Sequence, residues 1–284
     1  MIRPIVAGNW KMHKDRAEAA ALIDGILAHD LSPDVTAIVS PAFPFLGDAV
    51  QRTGGTRLHV AAQNVHAAPQ GAFTGEVSVG MLKSVGVEYC IVGHSERRQY
   101  FGETDAEVGK KMLALLAAGI TPIYCCGERK EERLSERHFE VVEQQMREAF
   151  SGFSTPTGIS SPQGISSPEA SPERSRGEGG RGMSNTDLRR IIIAYEPVWA
   201  IGTGLTASAQ QAQDMHAHIR SLLRTFGEDV AATVPILYGG SCKPDNAAEL
   251  FSCPDVNGGL IGGAALDAKS FAELVRIAGS GVGK

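Results

Sequence analysis

The run from Arg189 to Gly204, RRIIIAYEPVWAIGTG, delivers a carboxylate, Glu196, straight off an apolar segment and into Pro197. A charge released there pays for lost hydration unless some chemistry uses it. The stretch beyond it is apolar in the middle and small at its far end, the composition of a lid. Closure of such a lid over Glu196 would exclude water and raise its basicity, which suits abstraction of a proton from carbon. Two other strand ends offer partners. In AGNWKMH, Asn9 and Lys11 stand two apart, on the same side of an extended backbone, so both can face one ligand. In EYCIVGHSERR the apolar run ends at Gly93 and His94, with Ser95 expected as the N-cap of a helix. A helix N-terminus disfavours added positive charge, so the His94 imidazole is expected to stay neutral and donate a hydrogen bond. Taken singly, a turn asparagine, a surface lysine and a structural histidine are the plainer readings. Their shared place at strand ends is what raises them.

Two glycine-rich turns, LYGGSCKPDN and LIGGAAL, supply what an anionic substrate would need. The backbone N–H groups of Gly262 and Gly263, with Ser241, can hold a phosphate without an arginine. A competing pattern, Gly202-x-Gly204-x-x-Ala207, matches one form of the dinucleotide fingerprint. Its glycines lie well past the strand end instead of in the tight turn directly after it, which argues against a nicotinamide cofactor.

These residues need a scaffold that gathers strand ends. Apolar or β-branched runs recur at Ile5 to Gly8, Val35 to Ser40, Leu58 to Gln63, Tyr89 to Val92, Thr121 to Cys125, Ile191 to Tyr195, Pro235 to Tyr238 and Gly258 to Ile261. Helix signals lie between them, as in Ala106 to Ala118, Ser135 to Phe150 and Ser208 to Phe226, the last opening with Ser208 and Gln211 as a capping box. Strict alternation of strand and helix implies a parallel sheet, and near-continuous apolar strands imply burial on both faces. Eight repeats favour a closed barrel, whose functional residues lie at the carboxyl ends of the strands.

At 284 residues, 43% hydrophobic and 21% charged, the composition is that of an ordinary soluble globular protein. A net charge of -5 argues against nucleic-acid binding. No apolar run approaches a membrane span, and the N-terminus lacks a signal-peptide pattern, so a cytoplasmic location is expected. Five cysteines without C-x-x-C spacing encode neither a disulfide framework nor a zinc site. His216 and His218, two apart on a helix, point to different faces, so no metal is expected there. One segment, Ser154 to Met183, is rich in Ser, Pro and Gly and repeats GISSP. It reads as a disordered insertion at the amino-terminal face, and its Ser-Pro pairs at Ser161, Ser167 and Ser171 read more simply as solvated spacer than as phosphorylation sites.

Six segments together, GNWKMH, QNVHAAPQGAFTGEVS, VGHSERR, AYEPVWAIGTG, YGGSCKPDNA and LIGGAAL, resemble the successive motifs of the triosephosphate isomerase family. The resemblance spans the chain apart from 154–183. It implies a single (β/α)8 TIM barrel over residues 1–284, with that insertion between the fifth helix and the sixth strand. It also implies interconversion of dihydroxyacetone phosphate and D-glyceraldehyde 3-phosphate with no cofactor and no metal. Residue by residue, Glu196 matches the general base, His94 the electrophile and Lys11 the positive charge near oxyanion and phosphate. Asn9 matches a further substrate contact, Gly202, Ser241, Gly262 and Gly263 the phosphate grip, and Glu96 a supporting position. The family is typically a homodimer, and the loop Asn64 to Glu76, with Thr74 near its tip, matches the segment that inserts beside a neighbour's site. His13, Cys126, Cys242 and Ala265 depart from the usual pattern without removing a catalytic group. Another sugar-phosphate barrel enzyme and a catalytically silent binding protein are the alternatives, and a silent protein has no physical need for a buried base beside an apolar lid.

Overall fold

The structure is a computed structural model and describes residues 2–153, 188–202 and 205–281. The expected insertion at 154–183, and the last two residues of the expected lid, Thr203 and Gly204, lie outside the described residues.

Eight strands, β1 (Ile5–Asn9), β2 (Thr36–Ser40), β3 (Leu58–Ala62), β4 (Tyr89–Val92), β5 (Thr121–Cys126), β6 (Ile192–Tyr195), β7 (Ile236–Tyr238) and β8 (Gly258–Ile261), form a closed barrel in sequence order. All neighbouring pairs are parallel, and β1 closes the ring by pairing with both β2 and β8. Each expected strand is present, with ends shifted by at most one residue.

Strand alternation divides the core in two. One set of residues, including Ile5, Ala7, Ile38, Ala61, Ile91, Ile123, Ile192, Ala194, Leu237 and Leu260, fills the barrel interior. The alternate set, including Val6, Val39, Val60, Val92, Tyr124, Ile193 and Ile236, packs outward against the helices. This is why the strands read as unbroken apolar runs: both faces are covered.

The described helices are α1 (Arg16–Leu27), α2 (Leu46–Thr53), α3 (Val79–Ser84), α4 (Ser95–Phe101), α5 (Asp105–Ala118), α6 (Lys130–Leu134), α7 (His138–Ala149), α8 (Ala209–Arg224), α9 (Glu228–Thr233), α10 (Pro244–Phe251) and α11 (Ala268–Ser280). Helix α8 starts where expected, with Ser208 and Gln211 forming the reciprocal capping box. The single helix expected over Ser135 to Phe150 begins later, at His138, because Glu136 takes a left-handed φ of 57° and separates α6 from α7. Four of the five cysteines are buried, and all five are free thiols. His216 is buried while His218 packs against Phe139, so their rings diverge as expected. Among the described residues no helix is long and apolar enough to cross a membrane.

Candidate active site

On five strands, following the interior alternation to the strand end or one step past it reaches the carboxyl-terminal mouth of the barrel. Asn9 follows Ile5 and Ala7, Glu196 follows Ile192 and Ala194, Gln63 follows Ala61, Gly239 follows Leu237, and Gly262 follows Leu260. The apolar interior is thus capped by a layer of polar groups and glycines, and a cleft of about 760 Å³ opens above it. Asn9, Lys11, His94, Glu196, Gly202, Ser241, Gly262 and Gly263 all line this cleft. Glu96, the remaining expected residue, meets it through Lys11.

Glu196 is 2% exposed. Its Oε1 lies 2.9 Å from His94 Nε2, and its Oε2 accepts from the Ser95 backbone N–H at 2.9 Å. Burial raises the carboxyl pKa, but His94 and the Ser95 N–H outweigh it and hold the group below the usual glutamate value. Gly239 makes room for this side chain, since a Cβ there would stand 2.9 Å from Glu196 Cγ and 3.0 Å from the Tyr195 carbonyl oxygen.

The expected N-cap is displaced by one residue. His94, not Ser95, caps α4, its Nδ1 accepting the Glu96 backbone N–H at 3.2 Å. Ser95 starts the helix and spends its own N–H on Glu196. Because Nδ1 accepts, the ring proton sits on Nε2 and is donated to Glu196. Burial opposes a second ring proton, yet the Glu196 carboxylate draws the imidazole pKa above its ordinary value while the two are in contact. A proton on Nδ1 would set two N–H groups against each other, so the cap itself works for the neutral ring.

Lys11 carries a left-handed φ of 51°. Its N–H donates to Asn9 Oδ1 at 3.0 Å, and its carbonyl accepts from Gln63 Nε2 at 2.8 Å. The same amide nitrogen donates to the Ser40 carbonyl at 2.8 Å. The Lys11 ammonium meets Glu96 Oε1 at 2.6 Å, half-exposed at the cleft. Gln63 is not singled out by motif chemistry or spacing. Its place two residues beyond the interior-facing Ala61 is the signal that finds it.

The segment after Glu196 opens with one 3-10 turn, Val198–Ala200. Glu128 holds it from below. The Glu128 carbonyl accepts the Val198 N–H at 3.0 Å, and its Oε1 accepts from Trp199 Nε1 at 2.8 Å and Tyr195 OH at 3.1 Å. Burial raises the Glu128 pKa despite those hydrogen bonds and the nearby Arg133. Glu128 is a second residue absent from the sequence reading, foreshadowed only by a carboxylate two residues beyond Cys126, on the outward phase. After Leu260 and Ile261, the eighth strand runs through Gly262 into a short 3-10 turn, Gly263–Leu266.

The sequence model of triosephosphate isomerase matches residues 4–160 and 173–278. The unmatched 161–172 fall inside the segment set apart by composition. A triosephosphate isomerase of Chlorobium phaeovibrioides is 46% identical over 283 residues, 98% of this chain and 100% of the relative. That of Flavobacterium psychrophilum is 45% identical over 273 residues, 95% of this chain and 97% of the relative. With the barrel, the layered mouth and matches of this extent, the chain belongs to the triosephosphate isomerase family.

Proposed function

We infer that this protein interconverts dihydroxyacetone phosphate and D-glyceraldehyde 3-phosphate through an enediolate, as a step of glycolysis and gluconeogenesis. The observation that carries the reading is the 2.9 Å approach of Glu196 and His94 at the floor of a cleft roofed by glycine turns. Abstracting a carbon-bound proton requires a base and, at the same instant, stabilisation of the oxygen where charge develops. Glu196 serves as the base that moves the proton between C1 and C2. His94 donates its Nε2 proton to the carbonyl oxygen and then to the enediolate. Lys11 and Asn9 supply charge and a polar contact to the same oxygen edge, with Glu96 holding the Lys11 ammonium. The N–H groups of Gly202, Ser241, Gly262 and Gly263 grip the phosphate.

The contacts of Glu196 fit this assignment. Glu196 sits on His94 and Ser95, which keeps it ionised and ready; substrate would take over those partners and leave a desolvated carboxylate of raised basicity. Once Glu196 moves to substrate carbon, the carboxylate that favours imidazolium leaves Nε2, and His94 reverts to the neutral donor. Replacement Glu196→Gln is expected to lower kcat by about 10²–10⁴-fold with the fold intact. Turnover of glyceraldehyde 3-phosphate equal to that of the wild type would sink the mechanism.

The protein acts in the cytoplasm as a homodimer, with the Thr74 loop at the interface. What supports the dimer is exposed apolar side chains in the segments that follow β1, β3 and β4: Met12 at 95%, Phe101 at 71%, Tyr100 at 69% and Phe73 at 46% exposure. Apolar surface of this kind marks an interaction site. A fully active monomer in the analytical ultracentrifuge would overturn it.

A further inference from the structure

The strand alternation that places Asn9, Gln63 and Glu196 at the mouth does not place His94. On β4 the interior phase runs from Ile91 to Gly93, and His94 would follow on the outward side. It reaches the cleft because Gly93 turns the chain with a left-handed φ of 74°. The imidazole's aim therefore depends on one residue, and the peptide units on both sides of its Cα are gripped. The Gly93 N–H donates to Glu103 Oε2 at 3.1 Å. The Gly93 carbonyl accepts from Arg98 Nε at 2.7 Å.

Each gripping side chain is itself anchored. Arg98 Nη2 donates to the Cys125 carbonyl at 3.0 Å and Nη1 to Asp105 Oδ1 at 2.6 Å, so its planar fork spans β5, the Gly93 turn and the start of α5. The Glu103 side chain is 3% exposed, and its second oxygen is held by Lys111 and by Arg97. Lys111 in turn reaches Asn64 Oδ1 at 2.9 Å. There is no slack beneath the turn: a Cβ on Gly93 would stand 3.0 Å from both Arg98 Nη2 and the Cys125 carbonyl. A largely buried cluster of this kind, with each charge set against an opposite one and joined by hydrogen bonds, is stiff and geometrically demanding.

We propose that Arg98 and Glu103 are positioning residues for the isomerisation: a two-sided clamp on Gly93, one hand on each of its flanking peptide units, that aims His94 Nε2 at the reacting oxygen. The proposal rests on the reading of His94 as the electrophile. Neither side chain belongs to the lining of the cleft, so both act through the histidine. Misplacement of a reacting group by about 1 Å costs roughly 10²-fold in rate, whereas substrate binding through the phosphate turns is left alone.

The test compares Arg98→Lys, Glu103→Gln and His94→Gln with the wild type, each at a temperature where circular dichroism shows it folded. Lysine keeps the positive charge but cannot make the three-way fork. Glutamine keeps an acceptor for the Gly93 N–H but not the charge that holds Lys111. Arg98→Lys is expected to lower kcat about 30- to 100-fold with KM changed by less than about threefold. In ¹⁵N-histidine spectra of the folded variants, the His94 Nδ1 resonance should move as the Glu96 N–H bond is loosened. Wild-type kcat and wild-type His94 resonances in either folded clamp variant overturn the clamp. If His94→Gln is disabled while both clamp variants turn over normally, the clamp fails and the electrophile reading survives. If His94→Gln itself retains full kcat, the electrophile reading fails and the proposal with it. Should Arg98→Lys not fold, the same kcat, KM and ¹⁵N readouts on Glu103→Gln decide the outcome.

Discussion

Lys11 shows how a single residue acquires a fixed position that its type does not announce. A left-handed lysine is sterically unfavourable by about 1–2 kcal/mol, and the strain persists only where neighbours impose it. Here Asn9 takes its N–H and Gln63 takes its carbonyl, so the ammonium leaves the backbone in one direction, toward Glu96 and the cleft. Replacing Gln63 with Ala removes the donor shared by the Lys11 and Ser40 carbonyls. A loss of roughly 1–3 kcal/mol in urea unfolding is expected from the unpaired groups. A rise in KM of about tenfold should accompany it as the ammonium loses its fixed place in the cleft; an unchanged KM would mean that Asn9 alone fixes Lys11. Asn9, His94 and Glu196 could be picked from the sequence because they stand at strand ends beside Gly or Pro, and Lys11 because it follows Asn9 by two. Gln63 and Glu128 could not be picked that way: the first looks like a turn amide, the second like one more acid in a charged stretch. Their roles arise from strand phase and from contacts with residues far along the chain, Lys11 and Trp199.

At the scale of elements, boundaries were legible where local chemistry sets them. Ser208 and Gln211 satisfy each other's backbone N–H groups at the start of α8, a pattern written in four consecutive residues. The same device, Thr104 with Glu107, starts α5. The α4 cap was misplaced by one residue because a serine after a histidine is the better generic cap. The competing demand came from another strand: Glu196 claims the Ser95 N–H, and the histidine ring replaces the hydroxyl. Ser208→Ala is expected to cost about 1 kcal/mol of stability with kcat unchanged, since α8 carries no cleft residue. Chemical denaturation and a steady-state assay on the same preparation check both halves; a fall in kcat without a fall in stability would show that the start of α8 also governs the loop before it.

For the whole molecule, the barrel must close across the break in composition. Strand β5 pairs directly with β6, Ile123 beside Ile192 and Cys126 beside Tyr195, although 154–183 separates them in sequence. Replacing 154–183 with a short Gly-Ser linker is therefore expected to leave turnover nearly intact. Global stability is more exposed to acid. His216 on α8 is wholly buried; its Nδ1 meets the Asp255 carbonyl oxygen at 3.2 Å, Tyr195 lies edge-on at 5.8 Å, and its Nε2 is buried with no hydrogen-bond partner among the described residues. Burial, with Arg220 nearby, lowers its pKa from 6.5 to about 4 against the pull of the Asp255 carbonyl. The folded value lies below the unfolded one, so the stability from the neutral ring is complete above pH 6.5. It is lost as the pH falls toward 4, because the unfolded chain takes up a proton that the folded chain refuses. The loss across that window is roughly 3 kcal/mol. Replacement His216→Asn keeps a donor for the Asp255 carbonyl and removes the titration. The variant should be less stable than the wild type at pH 8, where it gives up packing, and the gap should narrow steadily as urea unfolding is repeated down to pH 4.5. A gap that stays constant over this range would mean that the acid lability of the barrel arises elsewhere.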